Sequence, residues 1–159
     1  MEIERAEREP VLRFWSDEFG VPPEAFDGYD FYEKGGRIWA VRHEAVGALG
    51  GEKNLDALDY ESVGLPLLRV GGEHDKPTTD ALQRFGGEAR RNVAELDAEE
   101  ARAFVRGETV EAEFDEEEDG VDLGYVVARH DGRALGCGLY FPGELRSQVP
   151  KGRRLDVVL

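Results

Sequence analysis

Basic side chains gather near the C-terminal end of this sequence, beside bends at Pro142-Gly143 and Pro150. They are Arg146, Lys151, Arg153 and Arg154. An arginine guanidinium can donate two parallel hydrogen bonds to a phosphate, and glycine lets a polymer backbone approach closely. The pattern therefore indicates a phosphate-binding surface rather than a set of catalytic groups.

A predicted β-hairpin precedes these bases and must position them. Tyr125–Arg129 and Arg133–Phe141 have strand-like composition, and the intervening Asp131-Gly132 is typical of a two-residue hairpin turn. Near the end of the second strand, Tyr140 and Phe141 could stack on unpaired bases, each for about 1–3 kcal/mol. The alternative is that both rings pack in the core.

The charge along the chain is uneven. The formal net charge is −15, from 35 acidic and 20 basic residues. Residues 124–159 contain six of the bases and three of the acids, so they carry +3, while residues 1–123 carry −18. Excess acid combined with small apolar residues is typical of a halophilic, salt-loving archaeal protein. We therefore interpret the general acidity as a solvation adaptation and the basic end as an exception to it.

The sequence predicts no catalytic centre, no metal site and no cofactor. His43, His74 and His130 are far apart and have no ligand spacing. Cys137 lies between two glycines with no base near it in sequence, which favours a packed residue over an activated thiol. The acidic stretch 115–120 begins like a calcium loop but lacks the glutamate needed at its twelfth position. We interpret it as a solvated surface loop.

The sequence also gives an expectation about location. A single cysteine permits no internal disulfide, which suits a reducing compartment. No apolar run approaches the roughly 20 residues of a membrane helix, and the charged N-terminus has no signal-peptide core. We expect a cytoplasmic protein with no membrane partner.

Two regions are predicted, with a boundary at Gly71-Gly72. Residues 1–72 form a small α/β lobe with a helix over 9–19 and a hairpin over 29–42. Residues 73–159 form a domain of short strands and small helices, one of which begins at a capping box made by Asp97 and Glu100. The predicted fold class is α+β, with a mixed pseudo-barrel of short strands and flanking helices.

Six short motifs occur in order over residues 76–154. They are Lys76-Pro77-Thr78, Val93-x-x-Leu96-Asp97-x-Glu99-Glu100-Ala101, Phe104-Val105-Arg106-Gly107-Glu108, Gly124-Tyr125-Val126-Val127, Asp131-Gly132-x-x-Leu135-Gly136-x-Gly138 and Pro150-Lys151-Gly152-x-Arg154. The set resembles the PUA-like RNA-binding domain attached to Sun-type RNA cytosine-C5 methyltransferases. The resemblance implies a small pseudo-barrel that binds structured RNA. It does not imply methyl transfer by this chain, because the sequence has neither a glycine-rich cofactor turn nor a nucleophilic cysteine.

From the segment 124–154 and the resemblance together, we expect a stand-alone, non-catalytic module that binds rRNA or tRNA, not DNA, in RNA modification or ribosome assembly. A separate RNA-modifying enzyme would be its partner. The predicted RNA-binding residues are Arg129, Tyr140, Arg146, Lys151, Arg153 and Arg154. Leu139 and Ser147 stand where the family tends to have lysine and asparagine. Together with the net charge, they leave open a second interpretation, a protein-interaction module that keeps the PUA-like fold without binding RNA.

Overall fold

The computed structural model describes residues 3–52 and 64–151. Its mixture of helices and strands confirms the predicted α+β class. Within these residues the strands form two five-stranded sheets and no closed barrel. Over the same ranges, no helix combines the length and the apolar character needed to cross a bilayer.

The first sheet has the strand order β1-β2-β3-β4-β5, and every pairing in it is antiparallel. Its strands are β1 (Glu4–Arg5), β2 (Tyr29–Lys34), β3 (Arg37–Arg42), β4 (Gly64–Arg69) and β5 (Lys76–Pro77). The predicted hairpin over 29–42 is confirmed as β2 and β3. The two-residue strands at the edges, β1 and β5, were not predicted.

The second sheet has the order β6-β8-β9-β10-β7. Its strands are β6 (Val93–Glu95), β7 (Thr109–Glu111), β8 (Gly124–His130), β9 (Arg133–Phe141) and β10 (Glu144–Ser147). The pairing of β6 with β8 is parallel and the others are antiparallel. The helices are α1 (Arg8–Phe19), α2 (His43–Ala48), α3 (Thr79–Phe85), α4 (Ala98–Val105) and α5 (Glu116–Asp119).

Helix α1 packs an aromatic face into the core. Val11, Trp15 and Phe19 recur at helical spacing and are all buried. Gly20 ends the helix in the left-handed conformation, with φ of 62°, which glycine adopts at little steric cost. The prediction of a helix over 9–19 is therefore confirmed to within one residue.

Helix α3 lies between the two sheets. The Thr78 side chain caps it by accepting a hydrogen bond from the backbone N–H of Ala81. The ring centroid of the buried Phe85 is 4.5 Å from that of Phe26. The same core cluster includes Val127 from the second sheet. One core thus draws on residues from both sides of the predicted boundary, and the division at residues 72–73 stays a prediction.

Helix α4 begins at the predicted capping box. The Asp97 side chain accepts from the N–H of Glu100, and the Glu100 side chain accepts from the N–H of Asp97. The helix buries Ala101 and Phe104 in a second core cluster against β8, β9 and β10. Capping and burial together anchor this helix to the second sheet.

The predicted solvated loop over 115–120 is exposed, but the prediction of a loop is wrong at Glu116–Asp119, where one helical turn, α5, forms. The Asp115 carboxylate accepts from the N–H groups of Glu117 and Glu118, which satisfies donors that a short helix otherwise leaves unpaired. Gly120 then ends the turn with φ of 67°. The acidic side chains of this turn are exposed, as expected for a solvated segment.

Strand β9 depends on a glycine where α4 and β10 approach it. A Cβ atom added to Gly138 would lie 2.7 Å from Leu145 Cδ1 and 3.1 Å from Phe104 Cε2. Both neighbours are fully buried, so neither side chain can move into solvent. We predict that Gly138→Ala lowers the free energy of unfolding by about 1–3 kcal/mol through overpacking.

Urea unfolding would measure this change as a lower midpoint. The matched control is Gly87→Ala, since a Cβ atom there would meet no atom within 4 Å. An unchanged midpoint for Gly138→Ala would contradict the packing described here.

Candidate nucleic-acid interface

The predicted C-terminal hairpin is confirmed as β8 and β9. Asp131 and Gly132 both have positive φ, 49° and 79°, as the two central residues of a tight hairpin turn require. At the far end of β9, the turn at 142–143 leads into β10, which pairs Arg146 directly with Leu139. Arg146 on β10 therefore lies beside Leu139, the position where the family tends to have lysine.

Arg146 lies on the surface, where it contacts an acid and an aromatic ring. Its Nη2 donates to Glu144 Oε1 at 2.8 Å, and its Cζ lies 4.6 Å from the ring centroid of Phe141. The Arg146 side chain is 53% exposed, and Phe141 is also partly exposed. An ion pair this exposed stabilises by about 0–1 kcal/mol at most, so a phosphate could replace the carboxylate at little cost.

Arg129 is instead held inside the second sheet. Its Nε and Nη2 donate to Glu95 Oε1 at 2.9 and 2.7 Å, and its Nη1 donates to the carbonyl of Ala89 at 3.2 Å. Glu95 and Arg129 are direct partners in the parallel pairing of β6 with β8. This arginine therefore joins two strands, and the structure does not bring it together with Arg146.

Tyr140 lies in the core, the alternative that its sequence left open. It is 3% exposed, and its ring meets that of Phe114 edge-on with centroids 5.2 Å apart. The hydroxyl accepts from the Phe114 N–H at 2.8 Å and donates to the Phe114 carbonyl at 3.2 Å. The neighbouring Phe141 points outward, as alternation along a strand requires, and is the exposed aromatic ring beside Arg146.

The other predicted residues lie at or beyond the end of the described chain. Lys151 is exposed and is the last residue described. Arg153 and Arg154 lie outside the described residues. Ser147 is turned inward, and its hydroxyl donates to the carbonyl of Phe104 at 2.8 Å.

A second group of bases, in the first sheet, was not predicted from the sequence. Arg37, Arg69 and Lys76 line one cleft together with Gln148 and Pro150, which follow β10. Their positions are 32 and seven residues apart in sequence, so only the strand register brings them together. Strand alternation in the predicted hairpin was a partial signal, because it placed Arg37 on the face opposite the apolar Ile38.

Cys137 is a packed residue, as its sequence context favoured. It is 1% exposed, and burial raises the pKa of its thiol to about 12 although Lys76 acts in the opposite direction. A thiol with this pKa is not a nucleophile near neutral pH. Among the described residues, no group of three or more histidine, cysteine or acidic side chains is arranged to hold a metal ion.

Comparison with known proteins finds a family match within the second half of the chain. Residues 91–155 match the methyltransferase RsmF PUA domain. The resemblance to a PUA domain carried by RNA methyltransferases is therefore confirmed. Residues 2–52 match a family of unknown function, DUF7122.

Two curated relatives are similar over most of the chain. Ribosomal RNA small subunit methyltransferase F of Aeromonas salmonicida is 27% identical over 145 residues, and the enzyme of the same name from Aeromonas hydrophila is 25% identical over 145 residues. Each match covers 91% of this chain but only 27% of the relative. The similarity extends to the PUA part of these enzymes and not to their catalytic domain.

The buried Cys137 thiol lowers the stability of the protein as the pH rises into the alkaline range. An unfolded thiol releases its proton near pH 9 and the folded thiol only near pH 12. The folded state thus binds more protons between these values, so this group's contribution to the free energy of unfolding falls by up to about 1.4 kcal/mol per pH unit above pH 9.

We predict that Cys137→Ala makes the loss of stability above pH 9 shallower, as followed by urea unfolding at a series of pH values. The folded wild type should also resist iodoacetamide at pH 9 and react once unfolded. Rapid alkylation of the folded protein would contradict the burial of this thiol.

Proposed function

We propose that this protein is a non-catalytic module that binds structured ribosomal RNA during RNA modification or ribosome assembly. A separate RNA-modifying enzyme would supply the chemistry. Transfer RNA is the alternative structured RNA that the module would bind. The same RNA-modifying relatives support a cytoplasmic location.

One observation supports this proposal above the others. The second half of the chain matches the PUA domain of an enzyme that methylates ribosomal RNA, while the similarity leaves out the catalytic domain. PUA domains resembling this one bind structured RNA. A chain that resembles the RNA-binding part without the catalytic part fits an RNA-binding role.

The proposed interface combines the exposed Arg146 and Phe141 pair with the basic residues after β10, namely Lys151, Arg153 and Arg154. Arg146 supplies a bidentate donor for phosphate, and Phe141 supplies an exposed ring for an unpaired base. The acidic composition suits high salt, where at about 1 M the Debye length is roughly 3 Å and steering at a distance is lost. Binding would then depend on contact ion pairs and shape.

A protein-interaction module is the second candidate. It is favoured by the pairing of Arg129 with Glu95 and of Arg146 with Glu144, which uses cations that RNA would otherwise contact. A pull-down whose protein partner survives ribonuclease, without enrichment of RNA, would support it over RNA binding.

The test of the proposed function removes the basic end. The test variant carries serine at four positions: Arg146, Lys151, Arg153 and Arg154. We expect the wild type to retain folded ribosomal RNA in about 1 M salt and this variant to lose that retention, because it lacks the contact ion pairs that survive screening. Filter binding over a salt series would measure both.

A matched control changes four bases outside the proposed interface to serine: Arg13, Arg90, Arg91 and Arg102. It removes the same total charge, so it separates a local contact from a general loss of positive charge. Equal retention by the wild type and the interface variant, with both folded, would refute the proposed interface. Failure of the wild type to retain RNA would refute the proposed function.

A further inference from the structure

Three cations stand side by side across the first sheet. Arg37 on β3 is the direct cross-strand partner of Arg69 on β4, and Arg69 is the direct partner of Lys76 on β5. Direct partners of an antiparallel pair project from the same face with Cβ atoms about 5 Å apart. The register therefore forms a row of three positive side chains, which we call the cation row.

The cation row lines a cleft between the two sheets. Ile38 and Leu68 are adjacent in sequence to Arg37 and Arg69, and both pack in the core. Because neighbouring residues of a strand face opposite sides of the sheet, the cations lie on the other face. The cleft has a volume of roughly 440 Å³. Lys76 Nζ donates to Gln148 Oε1 at 3.1 Å, which ties the row to the segment after β10.

The cation row lacks the compensation expected in such an acidic protein. Like charges directly opposite each other on a sheet are destabilising. Over residues 3–52 and 64–151, no carboxylate lies within ion-pair distance of Arg37 or Arg69. The sequence has 35 acids for 20 bases, so unpaired neighbouring arginines run against its composition. A bound anion would remove this repulsion.

Polar groups in the cleft add to this donor set. The buried Thr79 lines the cleft, and its Oγ1 accepts from the Cys137 N–H at 3.2 Å. Within the described residues the Thr79 hydroxyl hydrogen has no acceptor, so it can be donated to a ligand. Among the described residues that line the cleft, Asp80 is the single acid, and the cation row contributes three bases.

We propose that the cation row binds a phosphate group, held by the forks of Arg37 and Arg69, by Lys76 and by the Thr79 hydroxyl. The phosphate belongs to an RNA backbone, since Pro150 lines the cleft and directly precedes Lys151 of the proposed interface. The cleft would hold one phosphodiester while the C-terminal bases contact its neighbours. The RNA source rests on the proposed function, whereas the phosphate chemistry does not.

The test neutralises the cation row in the full chain. The variant Arg37→Gln, Arg69→Gln, Lys76→Gln keeps polar side chains and removes the repulsion, so we expect its stability to equal or exceed that of the wild type. Its affinity for ribosomal RNA should fall about tenfold, and the slope of log K against log salt should become shallower by about one. The double variant Arg37→Gln, Arg69→Gln, which keeps the Lys76 contact, serves if the triple variant is unstable.

A control removes three exposed bases away from the cleft and substitutes glutamine, at Arg13, Arg90 and Arg91. It should keep the wild-type affinity and salt slope. If the wild type binds RNA and the cleft variant matches it in both measurements, RNA is excluded as the source of the phosphate while the proposed function stands.

A second measurement separates RNA from a free phosphate compound. Inorganic phosphate is titrated into the wild type and the cleft variant, and the backbone amides of Thr78 and Thr79 are followed by NMR. Shifts that saturate in the wild type and vanish in the variant support the site, even if the wild type binds no RNA and the source is a small phosphorylated molecule. Absence of such shifts, with no effect of the variant on RNA binding, overturns it.

Discussion

The position of α3 between the two sheets is the constraint on which the rest of the structure depends. Ala81, Leu82 and Phe85 are buried in the core that both sheets share. The C-terminal end of the helix approaches β8 and β9 closely, and this approach requires glycine. A Cβ atom on Gly86, which follows the helix, would lie 2.7 Å from Val127 Cγ2 of β8 and 3.1 Å from Ala134 Cβ of β9. The same packing sets the distance between the first sheet and the end of β10, and hence the width of the cleft that the cation row lines.

Local chemistry made much of this fold predictable, whereas the sequence did not show how neighbouring strands align with each other. Some features depend on only a few neighbouring residues, so the structures they form could be predicted. They are the helical spacing around Trp15, the Asp97 capping box and the Asp131-Gly132 turn. The two-residue strands β1 and β5 have no periodicity to detect. The cation row depends on how β4 and β5 align, which side-chain patterns within single strands do not specify.

In the candidate interface too, the sequence did not show which side chains strand pairing would bring together. Charge alone grouped Arg129 with Arg146, yet the parallel pairing of β6 with β8 places Glu95 opposite Arg129 and engages it within the sheet. Aromatic character alone grouped Tyr140 with Phe141, yet adjacent residues of a strand face opposite ways. In an acidic protein, a base is open to a ligand only where the fold keeps carboxylates away, and that is a property of tertiary structure.

The strand order of the second sheet has a consequence for biosynthesis. Strands β6 and β7 leave the ribosome before β8, β9 and β10, with which they pair. Until those last strands emerge, both earlier segments have unpaired backbone edges, so this sheet cannot assemble as the chain grows. Assembly of the second sheet therefore waits until residues 124–147 have been translated, and a nascent chain halted before residue 124 would leave β6 and β7 without their strand partners.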